Sequence, residues 1–282
     1  MTDHAVTTSH LSKTYGRHPA LTDLTMHVPT DAVYGFIGAN GAGKSTTIRI
    51  LLGLARATSG SATVLGVERG HLPPTPVRGV SHLPDVPDLN PWLRAPEAVS
   101  LFARLAGADP DLAAHRAREL LELVGLGRAR GRIGGFSRGM RQRLGIAAAL
   151  APAPRLLVLD EPTSALDPRG RADVLGVIAA LRGRATVLFS SHLLDDVESV
   201  STHVGILHAG HLLAEGPVEA LLEADPRATT NLCVRDVPRD RAAQVARRTE
   251  AVLAAAGVDS PVEIRTGTLQ DLHHHLTERS PS

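Results

Sequence analysis

The segment GANGAGKST, residues 38–46, has the residue types and the spacing needed to hold a polyphosphate. It matches G-x-x-x-x-G-K-[ST], with Gly38, Gly43, Lys44 and Ser45 in register. The glycines would let the backbone wrap closely with its N–H groups pointing inward. Lys44 would reach the outer phosphates, and the Ser45 hydroxyl would take a place on Mg²⁺. An apolar run before the motif and a helical pattern after it favour a nucleotide site over a chance glycine-rich turn.

Two adjacent carboxylates, Asp160 and Glu161, follow the apolar run LLVL near the end of residues 155–162. Such a run is typical of a buried parallel strand whose carboxyl end borders a site. Asp160 would hold Mg²⁺ directly or through water, and Glu161 would act as general base on an attacking water. A solvated pair of acids at a strand end is the alternative. The phosphate-binding motif earlier in the chain favours the catalytic interpretation.

A histidine, His192, ends the next apolar run, ATVLFSSH at 185–192. It could hydrogen-bond a terminal phosphate and orient the attacking water. An ordinary surface histidine is the alternative, since the chain contains 14 of them. The triplet HHH at 273–275 is a contrasting case, because it follows no strand end. We expect it to lie on a solvated helix rather than to bind a metal.

The segment FSRGMRQRL, residues 136–144, has the pattern of a helix start. A short Ser/Gly lead-in is followed by an arginine-rich turn that runs into apolar residues. Helix N-termini attract anions through their free N–H groups and the helix dipole. The chain would therefore carry two anion sites, and the residues alone do not explain the second.

The overall composition excludes several classes of protein. The chain has 282 residues, 43% of them hydrophobic, which is enough for one large domain or two modest ones. A net charge of +1 gives no electrostatic signal for nucleic acid. The single cysteine, Cys233, excludes an intramolecular disulfide and is expected to be a small buried hydrophobe. We expect no signal peptide, and no stretch of about 20 uncharged apolar residues predicts a membrane span.

The order of predicted elements indicates an α/β fold. Strands are predicted at 4–11, 21–28, 32–38, 61–67, 78–83, 155–162 and 185–192. Helices are predicted at 45–55 and 171–181, with a largely helical region from about 88 to 150. A hairpin is predicted at 204–216, with its turn at Ala209-Gly210. After about residue 225 the sequence is rich in Arg and Ala and weakly patterned.

Four separated motifs together resemble the ATP-binding subunits of ABC transporters. They are the phosphate-binding loop, FSRGM, LDEPTSALD and SSH, in this order and spacing. The resemblance covers roughly residues 5–222. The sequence GMRQRL after FS is similar to the branch that serves bacterial drug exporters.

The resemblance implies a fold and a domain division. The expected fold is a P-loop NTPase (RecA-like) core with an N-terminal antiparallel β subdomain and an inserted α-helical subdomain at about 88–150. The ABC ATPase domain would span residues 1–225. Residues 226–282 would form a C-terminal extension of open role.

The resemblance also implies roles for individual residues. Tyr15 would stack on adenine, Ser137, Arg138 and Gly139 would belong to the signature loop, and Asp167 of the D-loop SALD would cross a dimer interface. The implied nucleotide-binding residues are Tyr15, Gly38, Ala39, Asn40, Gly41, Ala42, Gly43, Lys44, Ser45, Thr46, Ser137, Arg138, Gly139 and Asp167. The implied catalytic residues are Lys44, Glu161 and His192, and the implied metal-binding residues are Ser45, Asp160 and Asp85.

Two of these positions depart from the pattern of the family. Asp85 falls at the Q-loop, where the family usually has Gln and this branch often has Glu. The shorter acid could hold a water near Mg²⁺ but would reach less far. Ala165 stands where the family more often has Gly.

The resemblance answers the question of the second anion site. ABC ATPases form head-to-tail dimers in which each ATP lies between the P-loop of one subunit and the signature helix of the other. The implied ligands are ATP and Mg²⁺. The implied partners are a second copy of the chain and a separately encoded integral-membrane permease, at the cytoplasmic face of the membrane.

Two other functions are alternatives to the export of drugs or other small amphipathic compounds. A soluble ABC ATPase acting on ribosomes or nucleic acid usually has two nucleotide domains or long coiled coils. This chain has neither, and its near-neutral charge leads us to expect no nucleic-acid partner. A GTPase or kinase is disfavoured because the guanine-binding pattern N-K-x-D is absent.

Overall fold

The computed structural model describes residues 4–69, 76–164, 166–224 and 239–255. Residues 1–226 form one compact unit, and residues 227–282 form a second. Three features singled out in the sequence, Ala165, Cys233 and the histidines at 273–275, lie outside the described residues.

Ten strands and seven helices make up the described part of the first unit. The strands are β1 (His4–Tyr15), β2 (His18–Pro29), β3 (Val33–Ile37), β4 (Ser59–Val64), β5 (Val67–Arg69), β6 (Val80–Leu83), β7 (Leu156–Asp160), β8 (Thr186–Ser191), β9 (His203–His208) and β10 (His211–Pro217). The helices are α1 (Lys44–Leu51), α2 (Ala95–Leu105), α3 (Pro110–Leu123), α4 (Arg138–Leu150), α5 (Pro168–Ala180), α6 (Leu194–Val200) and α7 (Val218–Ala224).

An antiparallel sheet is built mainly from the N-terminal strands, in the order β2-β1-β4-β5. The alternation of buried and polar residues in β2 is interrupted at Asp23, which has a φ of +55°. The register of β1 against β2 shifts opposite this point, so Asp23 belongs to a bulge that re-aligns the apolar face. The strand predicted at 61–67 is wrong in its extent. Leu65 and Gly66 both have positive φ and form the turn between β4 and β5.

A second sheet, in the order β10-β9-β3-β8-β7-β6, is parallel except for β10. Its central strands are buried along nearly their whole length. Successive residues of β7 serve two different cores. Leu157 and Leu159 join the cluster that contains the inserted helices, whereas Leu156 and Val158 join the cluster shared with the antiparallel sheet and α1. The predicted hairpin turn at Ala209-Gly210 is confirmed.

The predicted helical region at 88–150 contains three helices, α2, α3 and α4. Gly107 and Gly125 have positive φ and lie just after the ends of α2 and α3. Buried alanines such as Ala98, Ala103 and Ala117 allow the helices to pack closely. The segment between α3 and α4 is mostly irregular, which the sequence pattern did not indicate.

The fold class expected from the sequence is confirmed. Helices α6 and α7 were not predicted, because each has only seven residues and presents too little periodicity. The described part of the second unit is helix α8 (Arg239–Ala255). Within the described ranges, no helix combines the length and the apolar character needed to cross a bilayer.

Candidate nucleotide-binding site

The loop between β3 and α1 has a backbone that requires glycine at several positions. Gly41 and Gly43 have φ values of +82° and +113°, where a side chain is strained. At Gly38 the obstacle is space, because an added Cβ would lie 2.6 Å from the carbonyl oxygen of Leu207. The glycines of the motif are therefore demanded by this local geometry.

The side chain of Lys44, at the start of α1, folds back over the loop. Its Nζ donates to the carbonyl oxygen of Gly38 at 2.6 Å and lies 3.4 Å from that of Ala39. Nζ is also 3.2 Å from Oε1 of Glu161. This last contact is an ion pair rather than a hydrogen bond, since Oε1 receives no hydrogen bond from the described residues. The carboxylate compensates the charge of an ammonium that is only 6% exposed.

The carboxylates of Asp160 and Glu161 are held at the end of β7 by one serine of the neighbouring strand. Ser190 Oγ donates to Asp160 Oδ1 at 2.6 Å and accepts from the backbone N–H of Glu161 at 2.9 Å. The parallel register of β7 and β8 pairs Asp160 with Ser190. Glu161 has a φ of +49°, an uncommon conformation for a side-chain-bearing residue. The bond from Ser190 helps to hold this strained backbone.

His192 follows β8 and contacts Glu161. Its Nδ1 lies 2.7 Å from Glu161 Oε2, so the two carboxylate oxygens face Lys44 and His192 respectively. The sequence led us to expect His192 beside a phosphate, and its neighbour within the chain is the proposed general base. In this arrangement Glu161 can orient one nitrogen of the ring and leave Nε2 for another partner.

Lys44, Asp160 and Glu161 line a cleft of about 420 Å³, whereas Ser190 and His192 are not among its lining residues. The lining residues are Tyr15, His18, Ala20, Ala39, Asn40, Gly41, Gly43, Lys44, Ser45, Thr46, Asp85, Asp160 and Glu161. Gly38 and Ala42 support the loop from beneath and are buried. Tyr15 is 46% exposed, and the Nζ of Lys13 lies 4.7 Å from its ring centroid.

The oxygen atoms in the cleft suit a hard cation. Ser45 Oγ lies 3.5 Å from Asp160 Oδ1, and Asp85 lines the same cleft. Mg²⁺ usually takes one or two carboxylates and completes its shell with phosphate and water, and Ser45 and Asp160 would supply donors of this kind.

Asp85 also makes a contact that the sequence did not indicate. Its Oδ1 accepts a hydrogen bond of 2.9 Å from Ser164 Oγ. The bond joins the segment after β6 to the segment that leads into α5.

The signature residues and Asp167 lie outside the cleft of their own chain. Ser137 caps α4, and its Oγ accepts from the backbone N–H of Met140 at 3.2 Å. Arg138 is exposed, and Gly139 packs against Leu166 closely enough that a Cβ would lie 3.3 Å from its side chain. Asp167 caps α5 by accepting from the N–H of Gly170 at 2.9 Å.

Sequence reasoning missed two polar groups next to the site, Ser190 and His82. Burial lowers the pKa of His82, and the nearby charge of Asp160 opposes this shift without cancelling it. The ring is therefore neutral at pH 7. Ser190 lies in β8 and His82 lies in β6, and both are apolar strands directly beside β7. A polar residue inside such a strand was the available signal.

Comparison with known proteins identifies the family. The sequence profile described as ABC transporter matches residues 21–164, about half of the chain. A bacitracin transport ATP-binding protein of Bacillus licheniformis is 40% identical over 219 residues, which cover 77% of this chain and 71% of that protein. The chain belongs to the ABC transporter family of ATP-binding proteins. As a member of it, the chain binds ATP and hydrolyses it.

Two further similarities support the ABC assignment. A daunorubicin/doxorubicin resistance ATP-binding protein of Streptomyces peucetius is 40% identical over 214 residues, covering 75% of this chain and 65% of that protein. A solved dimeric ATP-binding cassette, in a post-hydrolysis state with ADP and phosphate, is 24% identical with a TM-score of 0.68. That match covers 76% of this chain and 98% of the other. The latter similarity concerns the ABC fold.

Proposed function

We propose that this ABC ATPase energises a separately encoded integral-membrane permease that exports drugs or other small amphipathic compounds. The two relatives at 40% identity, a bacitracin transport subunit and a daunorubicin/doxorubicin resistance subunit, support this direction of transport. The chain would work at the cytoplasmic face of the membrane, attached through the permease. The ATPase domain would span residues 1–225, and 226–282 would be an extension.

The observation that carries the mechanism is the separation of the two anion-binding motifs. The P-loop lines the cleft, and the signature residues of the same chain do not. An exposed helix terminus contributes only about 0.3–1 kcal/mol to anion binding. Alone it could not hold a nucleotide, since micromolar affinity corresponds to about 8 kcal/mol. A second copy, related head to tail, would bring Ser137, Arg138, Gly139 and Asp167 onto the open side of the cleft.

Within each cleft, the residues would divide the chemistry between binding and proton transfer. Tyr15 would stack on adenine, and the backbone of 38–46 and Lys44 would hold the phosphates. Mg²⁺ would be held by Ser45 and Asp160. Asp85 would contact the ion through a water molecule. Bound there, the ion would neutralise charge on the phosphates.

The proton-transfer step would fall to Glu161 and His192. Glu161 would accept a proton from the attacking water. His192, which lies 2.7 Å from Glu161, would orient that water against the terminal phosphate.

Mixing two inactive variants tests the shared site. Lys44→Ala removes the P-loop cation, and Ser137→Arg blocks the signature. In a heterodimer of the two, one composite site contains both lesions and the other contains neither. An equal mixture should recover up to about a quarter of wild-type ATPase activity if the two subunits pair randomly and the sites act independently.

The contrary result is a mixture as inactive as its components. That outcome would mean that each active site is completed within one chain. A direct test of the transport role is co-purification of the chain with an integral-membrane permease from its native membranes, and loss of drug export when Lys44→Ala replaces the wild type.

A further inference from the structure

A buried carboxylate close to the site has no part in the chemistry proposed above. Asp196 lies on the first turn of α6 and is only 1% exposed. Its Oδ2 accepts from the hydroxyl of Thr163 at 2.6 Å, and its Oδ1 accepts from Nε of Arg171. Both carboxylate oxygens are therefore engaged by side chains from outside the helix. A buried charge that is paired in this way holds its partners in a defined geometry.

The two partners of Asp196 belong to segments that carry functional residues. Thr163 is two residues after Glu161, and it is itself buried. His192 is four residues before Asp196, just ahead of α6. Two contacts thus join the same two segments. His192 contacts Glu161, and Asp196 contacts Thr163, so the segments form a closed ring that contains both members of the proposed catalytic pair.

The other end of α6 is fixed independently of Asp196. Gly35 of β3 allows the helix to approach the sheet, because a Cβ there would overlap the side chain of Val197. Val197 and Val200 are buried in the same core. These apolar contacts set how closely the helix lies against the sheet. The carboxylate fixes the turn nearest to His192, where α6 has no side-chain N-cap.

Arg171 extends the connection to α5. It lies one turn after Asp167, the residue that caps this helix. The first turn of α5 is therefore tied to the same carboxylate as the segment after Glu161. The contact between Arg171 and Asp196 therefore links the segment around Asp167 directly to α6.

We propose that Asp196 is a positioning residue that holds Glu161 and His192 at their working separation and couples that separation to the start of α5. The proposal rests on the catalytic roles proposed for Glu161 and His192. Asp196 touches neither nucleotide nor water in this scheme. It acts through Thr163 and through the first turn of α6.

The test is removal of the Thr163 hydroxyl at nearly constant volume. In the purified full-length chain, Thr163→Val should lower kcat for ATP about tenfold, because misplacement of a catalytic pair is costly, while KM changes by less than about twofold. Thr163→Ser restores the hydroxyl and should restore kcat. Ser199→Ala is the matched control. It removes a hydroxyl of α6 that donates to the backbone carbonyl of Asp196 and leaves the carboxylate bonds intact.

A second background separates positioning from a merely structural role. In a His192→Ala chain, Thr163→Val should cause a clearly smaller fold-loss, because the separation between Glu161 and His192 that Asp196 holds no longer matters once His192 is gone. An equal fold-loss in both backgrounds would overturn the inference and leave the catalytic roles standing. Unchanged kcat in both His192→Ala and Glu161→Gln would overturn the catalytic roles and the inference with them.

Arg171→Lys provides a second variant in case Thr163→Val lowers the melting temperature. It keeps the positive charge and changes the geometry of the contact. It should also lower kcat with little change in KM, and wild-type kcat in this variant would count against the coupling to α5.

Discussion

The two segments proposed to bind anions, residues 38–46 and 136–144, are built in opposite ways. In the first, glycines with positive φ curve the backbone, and the cation Lys44 is buried and paired with Glu161. In the second, an ordinary N-capped helix presents Ser137 and Arg138 to solvent, and Arg138 has no ion pair in the described part of the chain. A self-sufficient site satisfies its charges internally. In the proposed dimer, the exposed Arg138 at the start of α4 would instead be completed by the nucleotide of the partner subunit.

The strongest test of this comparison removes the proposed chemistry of the cleft that the first segment lines and leaves its ATP binding intact. Glu161→Gln keeps the shape of the side chain and removes its basicity. Turnover should fall by about 10²–10⁴, since that is what a general base contributes. ATP binding should persist, and the dimer should accumulate with nucleotide trapped. Single-turnover hydrolysis and size-exclusion chromatography with ATP measure the two effects, and normal hydrolysis would exclude Glu161 as the base.

The next largest effect should come from blocking the second segment. Ser137→Arg places a bulky cation where the partner's nucleotide would approach, and it should abolish ATP-driven dimerisation. Affinity of the monomer for a fluorescent ATP analogue should stay nearly unchanged. Asp109→Arg is the control, because Asp109 caps α3 in the same way and lies outside both segments. Equal loss of dimerisation and of monomer affinity would contradict the division between the segments.

A smaller effect should follow from removing the serine that aligns the two acids. Ser190→Ala leaves the Glu161 N–H without its acceptor and removes the hydrogen bond that Ser190 donates to Asp160. A buried unsatisfied group costs about 1–3 kcal/mol, so both the unfolding free energy and kcat should fall. Urea denaturation and ATPase assays measure these effects. Ser190→Thr is the matched variant, because it keeps the hydroxyl and should retain more of each.

The smallest expected effect is on the pH dependence of stability, and it concerns His82, which lies near Asp160 of the cleft. Burial lowers the pKa of His82, beside Asp160, below its usual value of 6.5. Below that pH the unfolded chain binds a proton more readily than the folded chain, so stability falls as pH decreases. The melting temperature should drop between pH 7 and 5.5, and His82→Gln should flatten the curve. An identical pH profile in the variant would show that His82 contributes nothing to it.

The sequence predicted the structure best at positions where a residue has only one plausible physical role. Gly43 and Lys44 of the phosphate loop, the strand-end acids and the turn at Ala209-Gly210 follow from backbone and charge requirements that leave few alternatives. The order of strands in the sheet was not available from the sequence, because register depends on contacts far apart in the chain. That order brings Ser190 next to Asp160.

The same reason explains the other features that the sequence did not reveal. The bulge at Asp23 follows from pairing between strands, and Asp196 looks like an ordinary acid in the first turn of a helix. Only the fold reveals that it is buried against Thr163 and Arg171. The sequence alone does not distinguish a buried acid from an exposed one.

The contact between Lys44 and Glu161 links the proposed binding role to the proposed proton-transfer role. Nζ of Lys44, which would receive the phosphates, lies 3.2 Å from the carboxylate of the proposed base. A bound polyphosphate would therefore share this cation with Glu161. In the proposed scheme, ATP binding would thus change the electrostatic surroundings of the base itself.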